Sequence, residues 1–483
     1  MKRWRWAVSV QLAAALAACG GGGGSSDTFG SSTGVTSPTP TPGPTTVAGG
    51  CTLRERQDWA AAQLREWYLF PETLPAGLSP AGYTTVQAYL DALTATARSQ
   101  RKDRYFTYVA SIAEENAFQS SGATAGFGFR ISTAQNGTRL TVSEAFEGAP
   151  ALAAGIDRGA QILAIGSSAS SLRNVTDIVS VDGSNGVSSA LGPNTPGTTR
   201  AFRISDAAGE RVVTVAKADY SLSAISPRYG AKVIEEGGER IGYLNYRTFI
   251  EASEPGLRQA FASFRQQGVT KVIVDFRYNG GGRINIAYLL ADLLGGNRST
   301  GDVLGYVSFR PEKASENTTR FYSPQPQSIA PTRIAFIGTA ATASASELVI
   351  AASVPYLRAN AALIGANTYG KPVGQIGLDR AQCDDRLRPV ALATQNAERR
   401  GDYYSGLAAT VEASCEAADD LSRPLGDPQE ASVRAALDYL AGRPCTRIST
   451  DAVAQSASAA ARRMTLLSPE RPDTAQREVP GLF

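Results

Sequence analysis

The sequence predicts an α/β protein in which a region of short strands precedes the main core and a small helical region precedes both. Residues 218–445 alternate strand-like and helix-like segments, which is typical of an α/β layer fold. Residues 122–217 carry short β-type runs with Gly-rich turns between them, and residues 51–121 show apolar residues at helical spacing. A length of 483 residues is enough for about three such domains.

The complete absence of histidine restricts the chemistry of the chain. It excludes a Ser-His-Asp triad, a Cys-His dyad and every His-ligated metal site. A hydrolytic base must then be a lysine, a carboxylate, a tyrosine or an amine. Once the basic residues Lys2, Arg3 and Arg5 are removed with a leader, the remaining chain is neutral. We therefore expect no nucleic acid among the partners.

The first 50 residues read as an export and anchoring segment. Residues 1–18 combine a basic start with an apolar stretch that is too short to span a bilayer, as in a signal peptide. The stretch ends in Leu16-Ala-Ala-Cys19, which resembles a bacterial lipobox and predicts lipidation of Cys19. A plain secretory signal that ends near a cysteine is the alternative. Residues 19–50 are rich in Gly, Ser, Thr and Pro and predict a flexible tether. We expect anchoring in the cell envelope, at the outer membrane, facing the periplasm or the cell surface.

Four further cysteines are expected to form two disulfides, because an even number in an exported chain favours pairing. They are Cys51, Cys383, Cys415 and Cys445. Three pairings are possible, and we favour Cys383 with Cys415 and Cys51 with Cys445. No CxxC spacing is present, so neither a redox role nor a zinc site is supported. We expect no metal and no organic cofactor.

The inserted region carries two motifs that resemble a PDZ domain. The first is Gly126-Phe127-Gly128-Phe129, and the second is the segment 149–163, a short helix followed by Gly155 and a strand. A Gly-rich turn before a strand can point backbone N–H groups at a carboxylate, while the strand edge accepts an extended peptide. The two phenylalanines could then line a pocket for an apolar terminal side chain. Taken alone, the first motif favours a plain strand punctuated by glycine, and the second motif at the expected distance reverses that preference.

Three segments of the core carry candidate chemistry, and each follows a predicted strand. They are Asp275-Phe-Arg-Tyr-Asn-Gly-Gly-Gly282, Thr342-Ala-Ser-Ala-Ser-Glu347 and Tyr369-Gly-Lys-Pro372. A serine at a helix N-terminus can attack a carbonyl while the next N–H stabilises the oxyanion. Plainer interpretations exist for each segment: a turn, a helix capping box at Ser344 and Glu347, and a solvated loop lysine. Ser346 is the competing nucleophile, but we expect it to point away from the glycine segment.

Together these segments resemble the C-terminal processing (tail-specific) serine peptidases of the S41 type, of which the lipoprotein-anchored bacterial members are the most similar. The resemblance covers residues 51–445 and implies a ClpP/crotonase-like layered core. It implies that Ser344 is the nucleophile, Lys371 the general base and Glu347 a supporting residue. It also implies an oxyanion hole formed by Ala345 with Gly280 or Gly281, of which we favour Gly281. For Lys371 to act as a base, its pKa must fall from about 10.4 toward 7–8.

The leading prediction is an exported serine endopeptidase whose PDZ-like region captures protein substrates by their hydrophobic C-termini. One alternative is a catalytically silent or resting peptide-binding lipoprotein, and another is an esterase or amidase with the same dyad. Residues 446–483 are rich in Ala, Ser and Arg, and we expect a loosely ordered tail. The chain ends in Val479-Pro-Gly-Leu-Phe483, which is a hydrophobic C-terminus of the kind such a groove would hold. We therefore hypothesise that the tail occupies its own groove and inhibits the enzyme.

Overall fold

The computed structural model of the chain describes residues 50–134, 136–183, 185–450 and 464–483. The predicted signal peptide, Cys19 and the tether up to residue 49 lie outside the described residues. The described residues belong to one compact unit, residues 48–483. Among them, no helix combines the length and the apolar composition that a membrane span requires.

The helices are α1 (Leu53–Trp67), α2 (Val86–Leu93), α3 (Ala95–Ser99), α4 (Ile112–Ser121), α5 (Pro150–Ala153), α6 (Val175–Asp182), α7 (Gly186–Leu191), α8 (Glu254–Gln266), α9 (Ile284–Leu294), α10 (Ala345–Leu357), α11 (Ala431–Leu440) and α12 (Thr474–Glu478). The strands are β1 (Tyr108–Ser111), β2 (Ala123–Gly126), β3 (Phe129–Ala134), β4 (Arg139–Ala145), β5 (Gln161–Gly166), β6 (Arg173–Asn174), β7 (Thr199–Asp206), β8 (Gly209–Ala216), β9 (Ala218–Ser221), β10 (Ala231–Glu236), β11 (Glu239–Asn245), β12 (Lys271–Asp275), β13 (Val303–Phe309), β14 (Thr318–Phe321), β15 (Arg333–Gly338), β16 (Ala361–Gly365), β17 (Val373–Gln375), β18 (Leu378–Arg380), β19 (Asp385–Arg388), β20 (Val390–Asn396), β21 (Ala413–Glu416) and β22 (Thr465–Leu466).

The core is built on a six-stranded sheet in the order β10-β11-β12-β15-β16-β21. β10 runs antiparallel to β11, and all other neighbours in this sheet are parallel. The adjacent strands β12, β15 and β16 therefore end at the same edge, at Asp275, Gly338 and Gly365. This edge receives the three segments for which the sequence predicts chemistry.

Helices cover both faces of the central sheet, which explains the continuous apolar run of β12. Val272 and Val274 face the apolar cluster formed with α8, α9 and α10. Ile273 faces the opposite cluster, which is formed with α11. Successive side chains of a strand point to opposite faces, so a strand covered on both sides is apolar at every position.

A second large sheet has the order β22-β3-β4-β5-β7-β8, with β6 paired to β5. Its strands come from residues 122–217 except β22, which belongs to the C-terminal tail. The chain enters and leaves this region through the antiparallel pair β2 and β9, which runs from Ala123–Ser221 to Gly126–Ala218. An apolar cluster that includes Phe127, Phe129 and Phe202 fills the interior of the region.

The N-terminal helices pack onto the core through small sheets beside the main one. Apolar residues of α1, α2 and α3 share a cluster with Val373, Leu387 and Val390. These three residues belong to β17, β19 and β20, and β19 also pairs with β1. The helical region therefore contacts the segments that follow Lys371, and not only the start of the core.

The prediction of a loosely ordered tail is wrong for residues 464–483. β22 pairs with β3, α12 follows, and Val479, Leu482 and Phe483 are buried. The prediction was based on the polar composition of the tail. The few large apolar residues at its end are enough to pack it against the rest of the chain.

The four cysteines after residue 50 form two disulfides, but the pairing that we favoured is wrong. Cys51 bonds Cys383, and Cys415 bonds Cys445. The first bridge fixes the start of α1 beside β19, which α1 also contacts through Arg56 and Asp385 at 2.6 Å. The second bridge joins residues that are 30 apart in the sequence, on β21 and just after α11.

Candidate active site

The three predicted segments meet at the carboxyl edge of the central sheet, around a cleft of about 1940 Å³. The cleft is lined by Gly280, Ser344, Ala345 and Lys371, together with residues of the N-terminal region and of the C-terminal tail. Ser344 precedes α10, and its backbone has φ 55° and ψ −113°, a conformation that costs energy for a residue with a side chain. The half-exposed Ser344 is therefore held in a strained turn that faces the cleft.

Glu347 ties the serine segment to the lysine segment. Its buried carboxylate oxygen Oε2 accepts a hydrogen bond from the N–H of Ser344 at 2.9 Å and from the N–H of Lys371 at 2.8 Å. The other oxygen, Oε1, accepts from the hydroxyl of Thr368 at 2.6 Å and from the N–H of Gly370 at 2.7 Å. Burial raises the pKa of Glu347, and these four donors act in the opposite direction. The capping glutamate thus also fixes where Lys371 lies.

Lys371 lies in a part-buried position with an aromatic ring beside it. Burial lowers its pKa to about 8, although Asp103 and Glu478 act in the opposite direction. Its Nζ is 4.8 Å from the centroid of the Phe106 ring and donates to Oε1 of Gln375 at 3.3 Å. The pKa has the value that a general base requires near neutral pH. The ammonium bonds Gln375 rather than the hydroxyl of Ser344.

The glycine segment lies directly against the serine. A Cβ on Gly281 would come within 2.8 Å of the Cβ of Ser344, so only glycine fits at this position with its φ of 115°. The N–H of Gly281 donates to the side chain of Asn279 at 2.9 Å, whereas the N–H of Gly280 donates to the carbonyl of Glu478 at 3.1 Å. The N–H of Ala345 lies in the first turn of α10, where an α-helix provides no partner. The N–H of Gly280 is thus bonded by the C-terminal tail, whereas the N–H of Gly281 is bonded within its own segment.

Ser346 is a poor alternative to Ser344, although not for the reason that the sequence suggested. It does not point away from the glycine segment, because its hydroxyl donates to the carbonyl of Asn279 at 3.2 Å. Its side chain is fully buried. The hydroxyl therefore joins α10 to the glycine segment and is not open to the cleft.

The Gly126–Phe129 segment of the inserted region holds the C-terminus of the chain itself. The carbonyl oxygen of Phe483 accepts from the N–H of Gly128 at 2.9 Å and from the N–H of Phe129 at 3.4 Å. The ring of Phe483 belongs to the apolar cluster that contains Phe127 and Phe129. A Cβ on Gly126 would lie 3.0 Å from the terminal carbonyl carbon. We call this site, formed by residues 126–129 and the edge of β3 opposite β4, the terminal groove.

Two residues near Lys371 were missed by sequence reasoning. Arg104 donates to the carbonyls of Tyr369 at 2.8 Å and Gly370 at 2.5 Å, and its guanidinium lies 4.1 Å from the centroid of the Tyr369 ring. Phe106 covers the ammonium of Lys371. Both lie in the loop between α3 and β1, more than 260 residues before the base. No local pattern in the sequence connects them to it.

No metal or cofactor site can be assigned from the described side chains. Over the ranges that the structure describes, no group of three or more Asp, Glu or Cys side chains could hold a metal ion. The groups that line the cleft include the hydroxyl of Ser344 and the amine of Lys371. They lie in segments that follow the adjacent parallel strands β15 and β16.

Comparisons with known proteins agree with the resemblance seen in the sequence. Residues 240–385 match peptidase family S41, and this span contains Gly280, Ser344, Glu347 and Lys371. The chain is 27% identical over 271 residues to a chloroplastic C-terminal processing peptidase of Tetradesmus obliquus. It is 26% identical over 253 residues to a carboxyl-terminal-processing protease of a Picosynechococcus strain.

The curated relatives are matched over only part of their length. The alignment with the algal peptidase covers 54% of this chain and 54% of that protein, and the corresponding values for the Picosynechococcus protease are 52% and 55%. A solved structure from Bacteroides fragilis, described as an S41 protease, superposes with a TM-score of 0.61 at 23% identity. The superposition covers 80% of this chain and 97% of that one. At that identity the superposition shows a shared fold.

Proposed function

We propose that this chain is a serine endopeptidase in which Ser344 is the nucleophile and Lys371 the general base. The observation that carries the proposal is the shared bonding of Glu347, whose oxygen Oε2 accepts from the N–H groups of both residues. The lowered pKa of Lys371, about 8, supports the same roles. The match to peptidase family S41 and the names of the curated relatives are consistent with this activity.

The proposed reaction moves one proton between two side chains. Neutral Lys371 takes the proton of the Ser344 hydroxyl as the oxygen bonds the carbonyl carbon of the substrate. The N–H groups of Ala345 and Gly280 stabilise the negative charge on the carbonyl oxygen. The lysine then gives its proton to the departing amine, and an acyl-enzyme remains. Lys371 then takes a proton from water as the water oxygen attacks the ester carbon. It returns this proton to the oxygen of Ser344 as the acyl fragment leaves as a carboxylic acid, which restores the hydroxyl of Ser344 and the neutral lysine.

The terminal groove supports a polypeptide substrate that is held by its C-terminus. The N–H groups of Gly128 and Phe129 donate to a terminal oxygen of Phe483, and the ring of Phe483 packs in the apolar cluster beside them. Edge strands that accept a peptide strand and a carboxylate in this way recognise free C-termini. We propose that the region is a PDZ-like domain that captures hydrophobic C-terminal tails. This favours a peptidase over the esterase or amidase alternative.

The test combines a chemical label with a cleavage assay. A fluorophosphonate probe that labels activated serines is applied to the wild type and to Ser344→Ala, Lys371→Met and Ser346→Ala. An unfolded reporter protein with an apolar C-terminal tail is then offered to each, and a reporter with a charged tail is offered in parallel. We expect label and cleavage to be lost in the first two variants and retained in Ser346→Ala. Labelling or cleavage that survives Ser344→Ala would show that the nucleophile is another residue.

The alternative of a resting or silent binding protein has two observations in its favour. The ammonium of Lys371 bonds Gln375 and not Ser344, and the N–H of Gly280 is already bonded to Glu478. Peptide binding without any labelling of Ser344, under every condition, would favour the silent protein.

We also propose export and lipid anchoring through Cys19, which rest on the sequence pattern of residues 1–19. Cys19→Ser in a bacterial host, with incorporation of labelled palmitate as the readout, tests the anchor. Palmitate that is retained in this variant would contradict it.

A further inference from the structure

The C-terminal tail contacts both sites described above, and it contacts them at the same time. Phe483 lies in the terminal groove, while Glu478, five residues earlier, lies beside the glycine segment. Val479 and Leu482 between them are buried in the main apolar cluster of the core. One continuous stretch of chain therefore joins the groove to the cleft.

The contacts in the groove are those of a bound peptide. The N–H of Phe483 donates to the carbonyl of Phe129 at 3.0 Å, and the N–H of Ile131 donates to the carbonyl of Gly481 at 2.9 Å. Leu482 pairs with Arg130 in the antiparallel sense. Alternating backbone bonds of this kind add a strand to a sheet edge. A free peptide that uses the same edge must displace the tail.

The contacts at the cleft cover groups that a substrate would need. The carbonyl of Glu478 takes the N–H of Gly280, and the carboxylate of Glu478 accepts from Gln119 at 2.7 Å and from Thr248 at 3.4 Å. A Cβ on Gly280 would come within 2.9 Å of the carbonyl of Arg477, so the tail lies directly on the glycine segment. A substrate carbonyl cannot reach the N–H of Gly280 while Glu478 remains there.

The tail borders the cleft in a form that is unsuited to cleavage. Residues 474–478 are helical, and the N–H of Val479 donates to the carbonyl of Ala475 at 2.7 Å. Gln476 donates to the carbonyl of Leu482 at 2.9 Å and so fixes the turn that leads back to the groove. The segment therefore presents a folded turn to the glycine segment instead of an extended peptide.

We propose that residues 473–483 are a tethered inhibitor, and that a free peptide which ends in a large apolar residue with a free carboxylate displaces them and opens the cleft. This inference rests on the proposed function for its effect on hydrolysis, but the occupancy of the groove does not depend on catalysis. A covalently attached ligand has an effective concentration on the order of millimolar. Against an intrinsic dissociation constant of about 10–100 µM, the tail weakens a competing peptide roughly ten- to hundredfold.

Peptide binding is measured first, in chains that also carry Ser344→Ala. The probe is a fluorescent peptide with the sequence Val-Pro-Gly-Leu-Phe and a free carboxylate, and its C-terminal amide is the control ligand. We compare the full chain, a chain that lacks residues 479–483, and Phe483→Asp. Val181→Asp, on the 73% exposed Val181 of the inserted region, is the matched surface control. We expect roughly ten- to hundredfold tighter binding in the truncated chain and in Phe483→Asp, and wild-type binding in Val181→Asp.

Hydrolysis of the reporter is measured in the same variants with Ser344 intact. We expect a higher rate after truncation and in Phe483→Asp, and a wild-type rate in Val181→Asp. If the truncated chain melts at a lower temperature, we expect the free peptide to restore its melting temperature. Phe483→Asp, which leaves Val479 and Leu482 in place, tests displacement without that loss.

The two ideas fail in different ways. Equal peptide binding in the full and truncated chains, with hydrolysis present in both, would overturn the tethered inhibitor and leave the peptidase intact. Tighter binding after truncation, with no hydrolysis in any variant, would support the inhibitor's occupancy of the groove and contradict the proposed peptidase.

Discussion

Replacing Glu347 with glutamine tests the contact on which the catalytic arrangement depends. The carboxylate accepts four hydrogen bonds, three of them from backbone N–H groups, and all four donors point at it. A glutamine has one acceptor oxygen and one NH₂ group. Its NH₂ group, which is a donor, must therefore lie against two of the four groups that donate to the carboxylate. The less costly orientation keeps the oxygen on Ser344 and Lys371 and turns the NH₂ group to Thr368 and Gly370.

The magnitude follows from that orientation. The hydroxyl of Thr368 can turn and accept, but the N–H of Gly370 is left without a partner in a buried site. An unsatisfied buried group costs about 1–3 kcal/mol. We therefore expect Glu347→Gln to lower the free energy of unfolding by about 2 kcal/mol and the melting temperature by about 2 °C. Because Gly370 precedes the base, kcat should fall about tenfold or more, which corresponds to 1.4 kcal/mol of activation free energy.

Thermal unfolding and reporter hydrolysis give the two readouts, and the chain provides a matched control. Glu55 occupies the same capping position in α1, where its carboxylate accepts from the N–H and the hydroxyl of Thr52 on an exposed surface. Glu55→Gln should melt and hydrolyse as the wild type does, within experimental error. If Glu347→Gln also matched the wild type in both assays, the carboxylate would be no more than a helix cap and our account of the site would be refuted.

Three further predictions address the base, its support and the second disulfide. The rate of hydrolysis by the wild type should rise as the pH passes through about 8, because only the neutral amine of Lys371 accepts a proton and its pKa is about 8. A rate that does not depend on pH would contradict this role. Lys371→Met should be inactive. Arg104→Met should lower kcat with little change in KM, since it removes the bonds to Tyr369 and Gly370, whereas Arg54→Met on exposed α1 should change neither constant. Replacing both Cys415 and Cys445 with serine should lower the free energy of unfolding in urea by about 3–4 kcal/mol, from the loop entropy of a 30-residue separation, and an unchanged midpoint would show that the bridge adds nothing.

Much of the core could be predicted because its signals are local. β12 is apolar at every position because it is covered on both faces, and the segments that hold Gly280, Ser344 and Lys371 each follow a strand of the same sheet. The sequence order of strands and motifs then places these segments at one edge. The bonding of Gly280 and Gly281 could not be predicted in this way. The N–H of Gly281 donates to the side chain of Asn279, and the N–H of Gly280 donates to the carbonyl of the distant Glu478.

The features that were missed depend on contacts between distant parts of the chain. Cys51 and Cys383 are 332 residues apart, and they meet only because α1 packs beside β19. Arg104 reaches the Lys371 segment across a separation of more than 260 residues. Spacing within the sequence carries no information on contacts between distant segments. An even number of cysteines therefore predicts that disulfides form, but it does not predict which cysteines pair.

The order of the C-terminal tail has the same origin, and it bears on how the tail could act. α12 has five residues, and an isolated helix of that length is unstable in water because its first turn is costly to form. Its order therefore comes from docking: from Phe483 in the terminal groove, from Val479 and Leu482 in the core, and from Glu478 on Gly280. A segment that is ordered only by docking loses its helix when its end is displaced. Competition for the groove at Phe483 would then also release Glu478 from the glycine segment, without any movement of the sheet that carries Ser344.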